Sequence, residues 1–210
     1  MLFRSTLIAL VGGPGGDADL AAAARTLADQ WLTDRTGVDP ELVEPVLALA
    51  ARDGDRAMFE RLVVEVRKEP DQERRQRIFG AIGSMRNPDL ARAALDLALD
   101  GGFDIRESFG LLFGPLGHRE TRDVAWAWLQ SNVDRLAAKL PVIARPYLPM
   151  AGNAFCDRTH RAEVESFFRP RVRKWPGAAH NLDLVLEAID TCVVSTERQL
   201  PGVRAVLEGY

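Results

Sequence analysis

Strand signals are missing from this chain. None of its 210 residues falls in a convincing period-2 alternation of apolar and polar side chains, so a sheet-based fold is excluded. Histidine is scarce as well: His118, His160 and His180 are the only three, and none has a second histidine at helical spacing. The H-E-x-x-H arrangement that puts two imidazoles and a carboxylate base on one helix face is therefore absent. His160-x-x-Glu163 is a two-ligand spacing without a third ligand nearby, and the histidines read as surface residues. Cys156 and Cys192 are the only cysteines and show no metal-ligand or C-x-x-C spacing. They read as buried free thiols of a reducing compartment, with a structural disulfide as the alternative.

Other absences narrow the function. No segment approaches the ~20 consecutive apolar residues of a membrane span. Leu7–Val11 is shorter than a signal-peptide core and no A-x-A site follows, which points to a cytoplasmic chain with export as the alternative. No G-x-S-x-G occurs, neither cysteine has an identifiable base, and Ser84 and Ser108 lie on helical patterns. The Val11-Gly-Gly-Pro-Gly-Gly16 run lacks a Gly-Lys-Ser/Thr and a preceding strand, so it reads as a helix-helix turn and not a phosphate loop. Charge of one sign is also lacking: 27 basic against 30 acidic residues give a net charge of −3, which argues against a dedicated nucleic-acid binder.

Helical punctuation is abundant. Four stripes recur between Ile78 and Val133: Ile78, Ile82 and Met85; Leu90, Ala94, Leu97 and Ala98; Ile105, Phe109, Leu112 and Phe113; Ala125, Leu129 and Val133. Asn87 before Pro88 caps one helix, Asp100-Gly101-Gly102 ends it, and Gly114-Pro115 with Gly117 closes the next. Upstream, Asp17 or Asp19 starts a helix that Thr36-Gly37 ends, Asp39-Pro40-Glu41 starts another, and the corners at 50–55 and 69–71 are stop-and-restart signals. Downstream, Pro146 and Pro149 break the backbone ladder, Asp157 caps a helix, and a long helix runs from Gly177 to Glu197 before a last turn at 203–207. The expected fold is all-α: one domain over residues 1–210, an α-solenoid of antiparallel helix pairs of the armadillo or HEAT kind. Trp126, Trp128, Phe109 and Phe113 fall on inner helix faces and read as core, not as a ligand box.

The run Ile82-Gly-Ser-Met-Arg-Asn-Pro-Asp-Leu90, the Leu95-x-Leu97-Ala98-Leu99 segment and Ala125-Trp126-x-Trp128-Leu129-Gln130-x-Asn132 resemble the C-terminal helical domain of zinc aminopeptidases of the M1 family, of the puromycin-sensitive and endoplasmic-reticulum type. Val133 stands where that family usually has a second Trp. The resemblance implies a fragment of a longer enzyme, with residues 1–11 the end of a helix that starts upstream. It implies a non-catalytic domain that encloses the peptide chamber and controls access to zinc held by a catalytic domain of the same polypeptide. This chain has neither H-E-x-x-H nor G-A-M-E-N, so it is expected to be no enzyme alone and to hold no cofactor of its own. The same resemblance places Ser84, Arg86, Arg106 and Glu107 on or near a concave wall that contacts peptides weakly. Arg169, Arg171, Arg173 and Lys174, with Trp175 for stacking, form a candidate anion or partner patch, whose plainer reading is a solvated corner. A free-standing helical-repeat adaptor is the alternative function.

Overall fold

The computed structural model describes residues 2–209, and side chains at all of these except positions 2, 3, 100 and 109. The fold is all-α, with no strand among the described residues. Among the described residues ten α-helices follow one another: α1 Leu2–Gly12, α2 Ala18–Asp34, α3 Val43–Arg52, α4 Arg56–Lys68, α5 Gln72–Gly83, α6 Pro88–Asp100, α7 Phe109–Phe113, α8 Arg122–Lys139, α9 Arg158–Phe168 and α10 Ala178–Glu208. Tighter 3₁₀ turns occupy Pro115–Gly117, Val142–Ala154 and Val172–Lys174. The chain packs as two compact units, Met1–Asn132 and Val133–Tyr210, divided inside α8.

Short polar side chains start five of the helices. Asp17, Asp55, Asp71, Asn87 and Asp157 each accept a backbone N–H two or three residues on, from Leu20, Met58, Arg74, Asp89 with Leu90, and His160. Each such bond satisfies a donor that the first helical turn leaves orphaned, and is worth about 1 kcal/mol.

In the first unit α1 packs on α3, α3 on α5 and α5 on α7, while α2, α4 and α6 pack beside them. Leu47, Leu62, Ile78, Phe79, Ile82, Met85, Leu95 and Trp128 are fully buried there. Trp126 and Trp128 are core residues, and the Trp128 indole N–H donates to Asp96 at 2.7 Å. In the second unit the apolar seam of α10 packs on α9 and on Val142–Ala154.

The α5–α7 contact is made by backbone. A Cβ on Gly83 would lie 2.4 Å from the Gly110 carbonyl oxygen, and one on Gly114 would lie 2.5 Å from that of Gly83. Gly83→Ala is expected to destabilise the first unit by about 1–3 kcal/mol. Gly80→Ala on the same helix, where a Cβ meets nothing within 4 Å, should be neutral or mildly stabilising. Urea midpoints of the two variants test the contrast.

Several expectations change. Helix α2 ends on Arg35 in the left-handed conformation (φ 62°), not on Thr36-Gly37. Asp39 accepts the Glu41 N–H in a turn, and α3 starts only at Val43. The stripe from Ile105 yields a helix of five residues, because Asp104 accepts the Arg106 N–H and diverts the backbone into a turn first. Ile105 and Leu112 are buried but Phe113 only partly, and the side chain of Phe109 lies outside the described residues. Around Pro146 and Pro149 the chain keeps 3₁₀ turns over thirteen residues instead of an α-helix. Helix α10 runs through Pro201 without a separate last turn. Cys156 and Cys192 are disulfide-bonded, with Cα atoms 5.4 Å apart, and not free thiols.

Candidate functional site

Four segments of the first unit meet around a cleft of about 360 Å³: the end of α1, the α3 face bearing Pro45 and Leu49, the end of α5, and Gly117-His118. Its polar lining is Arg52, Ser84, Arg86 and His118. Local structure sets each one. Arg52, in the last turn of α3, donates to the Gly12 carbonyl and, at 2.7 Å, to that of Gly13, and it pairs with Asp53 at 2.8 Å. Its guanidinium is thus spent on closing the end of α1. Ser84 follows the last residue of α5 and donates its hydroxyl to the Ala48 and Ala81 carbonyls at 3.0 and 2.8 Å.

Among the described residues Arg86 has capacity left. Its backbone N–H bonds the Arg52 carbonyl at 2.9 Å, which fixes its root. Among the described residues its guanidinium meets one loose ion partner, Glu120 at 3.7 Å, and its Nε is buried with no hydrogen-bond partner. A buried N–H without an acceptor costs about 1–3 kcal/mol. Burial, then the positive charges of Arg86 and Arg52, hold the His118 pKa below its ordinary value against the opposing pull of Glu120. The lowering favours the neutral imidazole over the imidazolium.

The other two candidate wall residues are elsewhere. Glu107 binds Arg75 through two bonds of 2.8 and 3.0 Å, and Arg106 binds Asp104. The Arg106 side chain, with the Arg106 N–H, lowers the Asp104 pKa to about 2. Arg75 lies in the first turn of α5 and Ser84 just past its last residue, so the two pairs sit at opposite ends of a helix about 18 Å long. Ser84 and Arg86 share one cleft; Arg106 and Glu107 do not line it.

Three members of the basic cluster of the second unit have partners. Arg169 pairs with Glu165 at 2.8 Å and Asp183 at 2.9 Å, Lys174 approaches Asp134 at 3.7 Å, and Arg171 lies over the Phe167 ring while donating to its carbonyl at 2.6 Å. Arg173 is exposed in the Val172–Lys174 turn. Trp175 is only 6% exposed and offers no stacking face, contrary to the sequence reading, because it packs as core where the turn meets α10. His160 stacks on Phe155 and binds Asp157 through Nδ1 at 2.7 Å. Among the described residues no three His, Cys, Asp or Glu side chains gather around a point that could hold a metal ion. Of the four wall residues named from the sequence, Ser84 and Arg86 line this cleft; Arg52 and His118, which also line it, were not named, since no motif links residues so far apart.

A family model described as the ERAP1-like C-terminal domain matches residues 1–191. The chain belongs to that family. Relatives of the ERAP1-like C-terminal domain chain include three rice proteins (Oryza sativa subsp. japonica). Aminopeptidase M1-C is 24% identical over 152 residues, M1-B is 27% identical over 120, and M1-A is 29% identical over 147. These matches take in 71%, 56% and 65% of this chain, yet 16%, 14% and 16% of the respective relatives. The chain therefore spans only a small fraction of the length of the curated relatives it matches.

Proposed function

We propose that this chain is the non-catalytic C-terminal domain of an M1-type zinc aminopeptidase, enclosing the chamber in which peptides reach a zinc site held by the rest of the polypeptide. The family match over residues 1–191 carries the reading. The neighbour order α1, α3, α5, α7 supports a solenoid, which presents a long concave wall and can flex over a substrate. The zinc would supply water activation in the catalytic part; this chain's residues supply shape and charge.

The cleft supports a more specific role in that wall. Among the described residues Arg86 has an unused buried donor, and it lines the cleft with His118 and the apolar Pro45 and Leu49, a combination suited to a carboxylate at the end of an apolar peptide tail. The test uses the complete enzyme. Arg86→Gln should raise KM about tenfold for peptides with a free C-terminal carboxylate, the worth of one charge-assisted contact, and leave kcat unchanged. Amidating the peptide should have the same effect, and the two changes together should cost no more than either alone. A single-residue chromogenic substrate should be unaffected. Equal KM values for free and amidated peptides would remove the carboxylate role, and a complete protein without peptidase turnover would remove the domain assignment itself.

A further inference from the structure

The cleft that holds Arg86 also holds a group whose charge changes near neutral pH. His118 lines it from the position after the Pro115–Gly117 turn. Its root is fixed, because the His118 carbonyl accepts the Thr121 and Arg122 N–H groups at 3.2 and 2.9 Å where α8 begins. The charges that act on the imidazole are Arg52 in the last turn of α3, Arg86 beyond the end of α5, and Glu120 two residues along the chain. Arg52 is paired with Asp53 at 2.8 Å and Arg86 with Glu120 at 3.7 Å. The end of α1 brings Ala9, Gly13 and Pro14 to the cleft, and these carry no side-chain charge. Burial and the two arginines favour the neutral ring, and Glu120 opposes them. A carboxylate bound at the Arg86 guanidinium would reverse that balance. It adds a negative charge to a partly buried site, where an opposite charge within about 4–6 Å favours the charged form of a titrating group.

We propose that His118 is the second cation of the carboxylate site: the cleft takes up a proton on the imidazole as it takes up a peptide C-terminal carboxylate at Arg86. The inference rests on the carboxylate role of Arg86. Linkage sets the sign. A group that holds its proton more tightly in the complex than in the free protein makes binding stronger as pH falls through its pKa in the complex, and the gain is complete below its pKa in the free protein. In the free protein the His118 pKa lies below its ordinary value, so the gain is completed on the acid side of neutrality. The peptide carboxylate titrates at about 3.3–3.7 and stays ionised throughout.

The complete enzyme and a matched pair of peptides, one with a free C-terminal carboxylate and one amidated, test it. The ratio of their kcat/KM values at each pH cancels the titration of the catalytic groups and of the peptide amine, which the two peptides share. In the wild type the free-acid to amide ratio should rise at least about tenfold between about pH 8 and about pH 5, the smallest effect of an opposite charge a few ångströms from an imidazole. His118→Gln, its folding checked by thermal midpoint, should hold the ratio at the wild-type alkaline value at every pH. Glu120→Gln, at an exposed position, should move the rise to lower pH, because it removes the charge that favours the imidazolium. Should His118→Gln not fold, the Glu120→Gln profile decides alone. A ratio above one that is constant with pH overturns the proton uptake and leaves the carboxylate role of Arg86 standing. A ratio of one at every pH removes that role, and the inference with it. A rise that survives His118→Gln, or one that Glu120→Gln does not move, assigns the proton to another group and overturns the proposal.

Discussion

Removing the Cys156–Cys192 disulfide, by reduction or by Cys156→Ser with Cys192→Ser, should cost the second unit about 3–4 kcal/mol of stability. The bond closes a loop of 36 residues that contains α9, the Val172–Lys174 turn and the first half of α10. Opening it returns that loop's freedom to the unfolded chain while leaving the native packing of Val164, Phe168, Leu182 and Val185 in place. Native far-UV circular dichroism with a lowered denaturant midpoint is the expected signature. An unchanged midpoint under a phosphine reductant, or free thiols in the untreated protein by peptide mapping, would show that the bond contributes nothing. A disulfide of this kind persists in an oxidising compartment, opposite to the reading of the two cysteines as free thiols.

The second large effect is expected at Arg35. Its guanidinium binds Glu69 at 2.7 Å and Glu65 at 2.8 Å, donates to the Trp31 and Leu32 carbonyls at the end of α2, and lies over the Trp31 ring at 4.8 Å. Burial works against its charge, and the hydrogen bonds with Glu69 and Glu65 outweigh that, so its pKa is raised. Arg35→Met would strand Glu69, which is only 6% exposed, with a loose contact to Arg74 at 3.9 Å. A buried carboxylate that loses its cation costs about 3 kcal/mol or more. Adding Glu69→Leu should recover much of this loss, because the stranded charge is then gone. If single and double variants unfold at the same urea concentration, the Arg35 hub is not what ties α2 to α4.

Legibility differed between local and distant features. The caps at Asp17, Asn87 and Asp157, the corners at 50–55 and 69–71, and the buried Trp126 and Trp128 follow from residues within one or two turns of each other. Arg35 as a helix end was not readable. A non-glycine residue at φ 62° is uncommon, and the bonds that hold this one come from Glu65 and Glu69 some thirty residues on. The same holds for the candidate cleft. Ser84 and Arg86 stood out through a family-like run, while Arg52 and His118 join them only because α3, α5 and the 117–118 turn converge.

Sequence alone determined that this chain is helical, where most helices begin, and which faces are apolar. Those properties arise from hydrogen bonds and periodicities spanning a few residues. Tertiary structure decided which charges are satisfied: Arg169, Arg171 and Lys174 matched by acidic and aromatic neighbours, Arg106 and Glu107 turned to structural pairing, Arg86 left with an unused donor among the described residues. It also joined Cys156 to Cys192. A side chain's partner across space depends on how helices pack, and packing is summed over the whole core, beyond the reach of any local pattern.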